Sequence, residues 1–252
     1  MPSFHWWRTV FWLIPAISVY TIVLGALSLA SMLVDRRGRL AHWCARTWAW
    51  LILVTTGVRT SARGVEQVDR SAPCVFVSNH QSIYDIPVLF VALPLQLRII
   101  AKASLGRFPV LGWHLRWTGH LLVDRARAGA SALKQVARLM RRGHSLIVFP
   151  EGTRSRDGRV GRFRRGLFLL AIEAGLPVAP VAVSGTRHVM RKGMLTTRPG
   201  DVALVVHPPL PTEGLTRADA PALAERVRGI IVETIAEVEA GGSSRMRGAR
   251  IE

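Results

Sequence analysis

From residue 60 onward, short runs of β-branched residues alternate with stretches of helical periodicity, and this alternation constrains the fold more than any other feature. Strands and helices in alternation form a sheet with helices packed on its faces. We therefore predict an α/β fold with a mixed, largely parallel sheet. The predicted strands are 74–79, 97–101, 119–124, 145–149, 178–184 and 201–206. The predicted helices are 86–93, 109–117, 128–142, 166–174 and 217–239.

An apolar segment precedes this region. Residues 10–34 contain no charged side chain, and 25 residues are enough to cross a hydrocarbon core of about 30 Å. We expect an uncleaved membrane helix; the alternative, a cleaved signal peptide, fits less well because the apolar stretch is too long. Arg36, Arg37 and Arg39 after the segment outnumber Arg8 before it. The positive-inside rule then places the rest of the chain on the cytoplasmic face of the inner membrane.

Residues 40–58 form a second apolar helix candidate with three tryptophans. This helix either lies in the membrane interface or dips back into the bilayer, and the sequence does not choose between the two. We therefore divide the chain into a two-helix membrane anchor at 1–59 and an α/β domain at 60–240. The remaining residues, 241–252, are rich in Gly, Ser and Arg, and we expect them to be disordered.

The chain is strongly basic, with a net charge of +18, although 49% of its residues are hydrophobic. Such a balance favours a globular domain that faces an anion: a nucleic acid, an anionic membrane surface or a phosphorylated substrate. Nearly all the basic residues are arginines, whose planar fork matches phosphate oxygens, although genomic base composition also favours arginine codons. The two cysteines, Cys44 and Cys74, fit no metal-ligand spacing, and we expect reduced thiols.

The first candidate site follows strand 74–79, where the sequence reads NHQSIYD from Asn79 to Asp85. Ligands of α/β sheets bind where strands end and loops lead into helices. A turn between His80 and Asp85 can bring the carboxylate to one imidazole nitrogen and leave the other nitrogen as a general base. The alternatives are an ordinary helix cap for Asp85 and a loop histidine bonded to backbone. Because no serine or cysteine stands in a nucleophile elbow, we favour direct transfer to an acceptor hydroxyl.

The second candidate site follows strand 145–149. Gly152 allows the backbone to turn its N–H groups towards a ligand, Thr153 adds a hydroxyl, and Arg154 adds a bidentate fork. These are the components of a phosphate-binding loop, although the P-loop motif itself is absent. We expect Glu151 to orient Arg154. The alternative interpretation is a charged surface loop with a glycine turn.

Taken together, NHQSIYD and, 70 residues later, FPEGTRS resemble the glycerolipid acyltransferase family, specifically the 1-acylglycerol-3-phosphate acyltransferases. The resemblance covers a motif core at 74–185. Its further blocks are 101–102, 109–113, 119–125, 163–166 and 178–183. The sequence departs from the family pattern at Ala103 and Ser104, where the family often carries an acidic residue, and this puts the fine substrate preference in doubt.

The resemblance implies a role for each matching residue. His80 would be the general base for the sn-2 hydroxyl of the acceptor, and Asp85 would orient it. The substrate-binding residues would be Lys102, Arg125, Glu151, Gly152, Thr153 and Arg154. The partners would be the lipid bilayer, lysophosphatidic acid and an acyl thioester on coenzyme A or acyl carrier protein. The thioester would be a co-substrate, with no cofactor, no metal and no nucleic acid involved.

Two other functions remain open. One is an acyltransferase of the same family with another acceptor, such as glycerol 3-phosphate, another lysophospholipid or a lyso-aminolipid. The other is a non-enzymatic basic module that binds a membrane surface or a nucleic acid. Such a module would interleave arginines with exposed aromatic residues along one helix. Here the aromatic residues concentrate near the N-terminus instead, which disfavours that function.

Overall fold

The computed structural model describes residues 3–35, 37–107, 111–123, 135–136, 138–139 and 142–241. Arg36, Arg125, most of the predicted helix 128–142 and residues 242–252 of the predicted tail lie outside these ranges. The strands are β1 Val58–Arg63, β2 Val75–Ser78, β3 Leu97–Lys102, β4 Leu121–Val123, β5 Ser145–Val148, β6 Val178–Ser184 and β7 Gly200–Val206.

The helices fall into an N-terminal group and a group that alternates with the strands. The first group comprises α1 Phe4–Arg8, a π-helical turn Thr9–Leu13, α2 Ile14–Ser31 and α3 Arg39–Thr56. The second comprises α4 Asp85–Ala92, α5 Leu111–Trp117, α6 Arg165–Glu173, α7 Thr186–Val189 and α8 Ala220–Gly241. Short 3₁₀ turns occur at Val65–Gln67, Ala103–Arg107 and Arg217–Asp219.

The seven strands form one sheet in the order β1-β7-β6-β2-β5-β3-β4. Every neighbouring pair is parallel except β6 and β7. The predicted mixed, largely parallel sheet is therefore confirmed, and each of the six predicted strands is present. The sequence did not predict β1, an edge strand whose residues VRTSAR are mostly polar and partly exposed.

Two apolar layers cover the sheet. On one face, α3, α4 and the strands share an apolar cluster that includes Leu53 of α3, Leu89 of α4 and Leu97 of β3. On the other face, α6 and α8 pack through Phe168, Val227 and Ile231. The central strands are buried on both faces. Their sequences are therefore continuous apolar runs, as in β6.

The N-terminal helices differ from the predicted two-helix anchor. Among the described residues, Phe4–Ser31 is the one helix long and apolar enough to cross a membrane. The second helix, α3, buries Ala49, Ile52 and Leu53 in the core of the sheet domain. It is therefore a layer of that domain, although Trp43 on its other face is exposed. The predicted boundary at residue 59 falls within β1.

The carboxyl ends of β2, β5 and β6 meet at one edge of the sheet, because these three strands are neighbours and run parallel. Each of these ends leads into a polar segment. His80 follows β2, Glu151 follows β5, and Thr186 follows β6. The fold thus brings together side chains that are separated by up to about a hundred residues in the sequence.

Candidate active site

The loop after β2 is fixed to the neighbouring strand before it turns into α4. The side-chain amide of Asn79 donates to the carbonyl of Val183 and accepts from its N–H, both at 2.8 Å. Asn79 is fully buried, so these two bonds satisfy its amide in place of water. The next residue, His80, therefore starts from a rigid position at the edge of the sheet.

Asp85, the first residue of α4, holds the ring of His80. Its Oδ2 lies 2.7 Å from Nδ1 of His80 and also accepts the backbone N–H groups of Gln81 and Ser82 at 2.8 and 2.9 Å. The hydroxyl of Thr186 donates to its Oδ1 at 2.5 Å. Asp85 is fully buried, and these four donors compensate for the removal of its charge from water.

This geometry fixes which nitrogen of His80 carries the proton. An ionised carboxylate only accepts hydrogen bonds, so Nδ1 must donate and Nε2 of the neutral ring keeps its lone pair. One face of the ring stacks on Phe149, with 4.1 Å between the ring centroids. The side chain retains 15% of its exposure. Within the described part of the chain, no group hydrogen-bonds to Nε2, which leaves that atom available to a substrate.

The loop after β5 starts with a tight turn at Gly152. Its φ of +76° lies in the left-handed region that glycine adopts without strain. The N–H of Gly152 donates to the carbonyl of Phe149 at 3.0 Å. This N–H therefore closes the turn.

Glu151 was predicted to orient Arg154, but its two carboxylate oxygens bind other groups. Its Oε1 accepts the backbone N–H of His80 at 2.7 Å, and its Oε2 accepts that of Gly161 at 3.0 Å. Burial raises the pKa of Glu151, and the two backbone bonds oppose that increase. The prediction was wrong because two backbone donors, one from the loop after β2 and one from further along the same loop, occupy the carboxylate in place of the neighbouring arginine. No pattern in the sequence reveals these donors.

Further hydrogen bonds join the two loops. The N–H of Ser155 donates to the carbonyl of His80 at 2.7 Å, and the side-chain amide of Gln81 donates to the carbonyl of Gly158 at 2.9 Å. With the bond from His80 to Glu151, three contacts hold the loops in register. The position of the imidazole is thus fixed relative to the basic loop.

The basic loop lines a groove of about 540 Å³, and one of its lining residues is Glu151, which accepts the N–H of His80. The cationic side chains that line it are Arg154, Arg156, Arg159, Arg162 and Lys192. Lys192 reaches the loop from beyond β6 and donates to Oγ1 of Thr153 and to the carbonyl of Arg154, both at 2.8 Å. Five cations against the carboxylates of Glu151 and Asp157 make the groove suitable for an anion.

The structure brings together most, but not all, of the predicted site residues. His80, Asp85 and the loop from Glu151 to Arg154 meet at one edge of the sheet. Lys102 lies at the end of β3, where only its backbone is described, and Arg125 lies outside the described residues.

Three residues of the site were not predicted from the sequence: Thr186, Lys192 and Phe149. Thr186 stands just after β6, and the other polar segments of the site also come directly after strands, so its position in the chain was a usable signal. Lys192 is 39 residues away from Thr153 in the sequence and belongs to no motif, so it carried no signal.

Comparison with known proteins places this site in a family. A family model described as Acyltransferase matches residues 59–184, half of the chain. A chloroplast 1-acyl-sn-glycerol-3-phosphate acyltransferase of Brassica napus, BAT2, is 37% identical over 71% of this chain and 53% of its own length. The alpha enzyme of the same name from Homo sapiens is 36% identical over 74% of this chain and 67% of its own length. The chain thus spans about half the length of the plant relative.

Shorter relatives are covered more completely. The 1-acyl-sn-glycerol-3-phosphate acyltransferase of Pseudomonas aeruginosa is 34% identical over 78% of this chain and 76% of its own length. The crystal structure of PlsC, the 1-acyl-sn-glycerophosphate acyltransferase of Thermotoga maritima, superposes with a TM-score of 0.74 and 26% identity. The match covers 89% of this chain and 95% of that one. The family resemblance read from the motifs is confirmed: this chain belongs to the acyltransferase family.

Proposed function

We propose that this protein transfers a fatty acyl group from an acyl thioester to the sn-2 hydroxyl of 1-acylglycerol-3-phosphate, which gives phosphatidic acid. The observation that carries the proposal is the position of the hydrogen-bonded His80–Asp85 pair. Three hydrogen bonds join its loop to the loop that lines the arginine-rich groove. The relatives named above support the choice of acceptor, because all of them are called acyltransferases of that lysolipid.

The proposed chemistry uses Nε2 of His80 as the general base. Nε2 takes the proton of the sn-2 hydroxyl as the oxygen attacks the thioester carbonyl, and Asp85 stabilises the imidazolium that forms. The tetrahedral intermediate then expels the thiolate, which takes the proton back from His80. The ester bond forms, the thioester bond breaks, and the ring returns to its neutral state without a covalent enzyme intermediate.

The proposed role of the groove is to hold the glycerol phosphate. A phosphate monoester carries a charge near −2 at neutral pH, and the guanidinium of Arg154 can bind two of its oxygens at once. Lys192 adds a point charge and fixes the carbonyl of Arg154 and the hydroxyl of Thr153. Hydrogen bonds join His80 to the loop that lines the groove. A phosphate bound in the groove would therefore set the distance of the sn-2 hydroxyl from Nε2.

We further propose that α1 and α2 lie along the membrane surface, at its cytoplasmic face, where acyl thioesters are available. The helix contacts the domain near both of its ends: Arg8 donates to the carbonyl of Thr56 at 2.7 Å, and Ser28 lies 3.1 Å from Nδ1 of His114. Between these ends the helix accepts a further hydrogen bond from α3, and a helix held to the domain in this way cannot cross the bilayer without drawing the domain in with it. Its outer face is apolar and exposed at Phe11, Trp12, Val19, Ile22 and Val23.

The proposal is tested by giving purified protein in mixed micelles a labelled acyl-coenzyme A and a panel of acceptors. The panel contains 1-acylglycerol-3-phosphate, glycerol 3-phosphate, a lysophosphatidylcholine and a lyso-aminolipid, and products are identified by mass. We expect phosphatidic acid as the dominant product. A dominant product from any other acceptor would refute the assignment of the acceptor. Acyl carrier protein thioester, in a parallel reaction, distinguishes the two donors.

A further inference from the structure

A second basic groove, of about 880 Å³, lies at the opposite edge of the sheet from His80. Gln96 and His144, which line it, directly precede β3 and β5, so the groove sits at the amino ends of these strands. Its charged lining residues are Arg37, Arg39, Arg70 and Arg142. Within the described residues, no carboxylate lines this groove, which is more one-sidedly cationic than the groove beside His80.

Buried polar groups without partners lie at this groove. His144 is only 6% exposed, and its Nδ1 has no hydrogen-bond partner among the described residues. Burial and the nearby Arg98 lower the pKa of His144 to about 4, so the ring is neutral at physiological pH. An unsatisfied buried nitrogen of this kind indicates a missing ligand or water.

Arg98 adds a buried charge close by. Its side chain is 2% exposed, its Nη1 donates to the carbonyl of Leu97, and its Nε has no partner among the described residues. A Cβ atom placed on Gly38, in the turn between α2 and α3, would lie 3.0 Å from Nη2 of Arg98. The guanidinium thus lies directly under the turn that carries Arg37 and Arg39. The carboxylate of Asp35, in the same turn, supplies part of the compensating charge. Because Nε of Arg98 still has no hydrogen-bond partner among the described residues, the buried cation favours a further anion nearby.

The apolar residues next to the groove indicate what kind of anion it takes. Leu33 and Val34, which end the apolar segment, are 85% and 81% exposed, and Leu40 is 48% exposed. They lie in sequence on either side of the arginines of the turn. Cationic groups bordered by exposed aliphatic side chains match a molecule that carries a phosphate and acyl chains.

We propose that this groove binds the phosphate of an anionic phospholipid and holds the α2–α3 turn on the membrane surface. The 28 residues of Phe4–Ser31 correspond to about 42 Å of helix between the edge that carries His80 and this groove. The helix and the groove would then both contact the bilayer, which keeps the catalytic edge at a constant distance from the surface. A phosphate on a soluble molecule, such as coenzyme A, presents the same chemistry, and the experiment separates the two sources.

The test uses full-length protein and vesicles of phosphatidylcholine with or without phosphatidylglycerol. The double variant Arg37→Gln/Arg142→Gln removes two charges from the groove. The matched control, Arg217→Gln/Arg226→Gln, removes two exposed charges near α8, on the other face of the sheet. Binding of coenzyme A and of inorganic phosphate is measured for both variants in detergent, and acyl transfer in micelles checks that each variant is folded.

We expect the groove variant to lose affinity for phosphatidylglycerol vesicles about 25-fold, since each basic residue near an anionic surface contributes about fivefold. The control should lose less than twofold, and binding to pure phosphatidylcholine should not separate the two variants. Equal losses in both variants, or no loss in either, would overturn the proposal. A loss of coenzyme A binding by the groove variant, with vesicle binding retained, would overturn the choice of a lipid.

Discussion

Replacement of Asp85 by Asn isolates the charge that orients His80. The amide oxygen of Asn can still accept from His80, Gln81 and Ser82, and its nitrogen can donate to the hydroxyl of Thr186, which accepts as well as donates. We therefore expect Asp85→Asn to fold with little change in melting temperature. The variant loses only the negative charge beside the ring.

The size of the loss can be worked out from the geometry. Nδ1 of His80 lies 2.7 Å from Oδ2 of Asp85, which puts the centres of charge about 4 Å apart once the imidazolium forms. At an effective dielectric constant of about 20, two unit charges at that distance attract by about 4 kcal/mol. Since about 1.4 kcal/mol corresponds to a tenfold change in rate, we expect kcat to fall about 10³-fold.

The assay is the initial rate of coenzyme A release with saturating lysophosphatidic acid, measured beside the melting temperature. Thr186→Val is the matched control, because it removes one hydrogen bond to the carboxylate and keeps its charge. We expect its effect on kcat to be at least tenfold smaller than that of Asp85→Asn. A kcat for Asp85→Asn within tenfold of wild type, in a folded protein, would refute the role given to the pair.

Other variants test the groove, the link between the loops and the position of the apolar helix. Lys192→Ala should raise KM for the lysolipid about tenfold and leave kcat nearly unchanged, with Lys192→Arg restoring most of the affinity. Glu151→Gln should lower the melting temperature by about 3–10 °C, because an amide has one acceptor oxygen for the N–H groups of His80 and Gly161. A cysteine in place of Ser3, with the buried native thiols silent, should react with an impermeant maleimide only after spheroplasts of a bacterial host are lysed. Labelling of intact spheroplasts would show that the helix crosses the membrane.

The sequence predicted the elements that depend on local pattern. Continuous apolar runs identified the buried strands, including β6. The length of the uncharged segment 10–34 identified the helix that spans Phe4–Ser31 in the structure. Strand β1 was missed because an edge strand needs no apolar run; its pairing with β7 joins segments about 140 residues apart. Backbone pairing of that kind leaves no trace in the composition of the strand.

The same distinction applies to the site. His80 and Asp85 are five residues apart, so a single turn could be foreseen between them. Thr186 reaches Asp85 from 101 residues away, and Lys192 reaches Thr153 from beyond β6. The order of the strands determines both contacts, and no motif records that order. Glu151 was assigned the wrong partner for a related reason, since its partners are backbone N–H groups, which every residue except proline carries.

The most direct test of the account is the rate of acyl transfer to lysophosphatidic acid by His80→Ala. Nε2 of His80 is the atom to which the whole mechanism assigns the proton. General-base assistance contributes about 10²–10⁴-fold, so we expect a loss of that size, with melting temperature and vesicle binding unchanged. Turnover close to wild type in the folded, membrane-bound variant would contradict the assignment of His80 as the base.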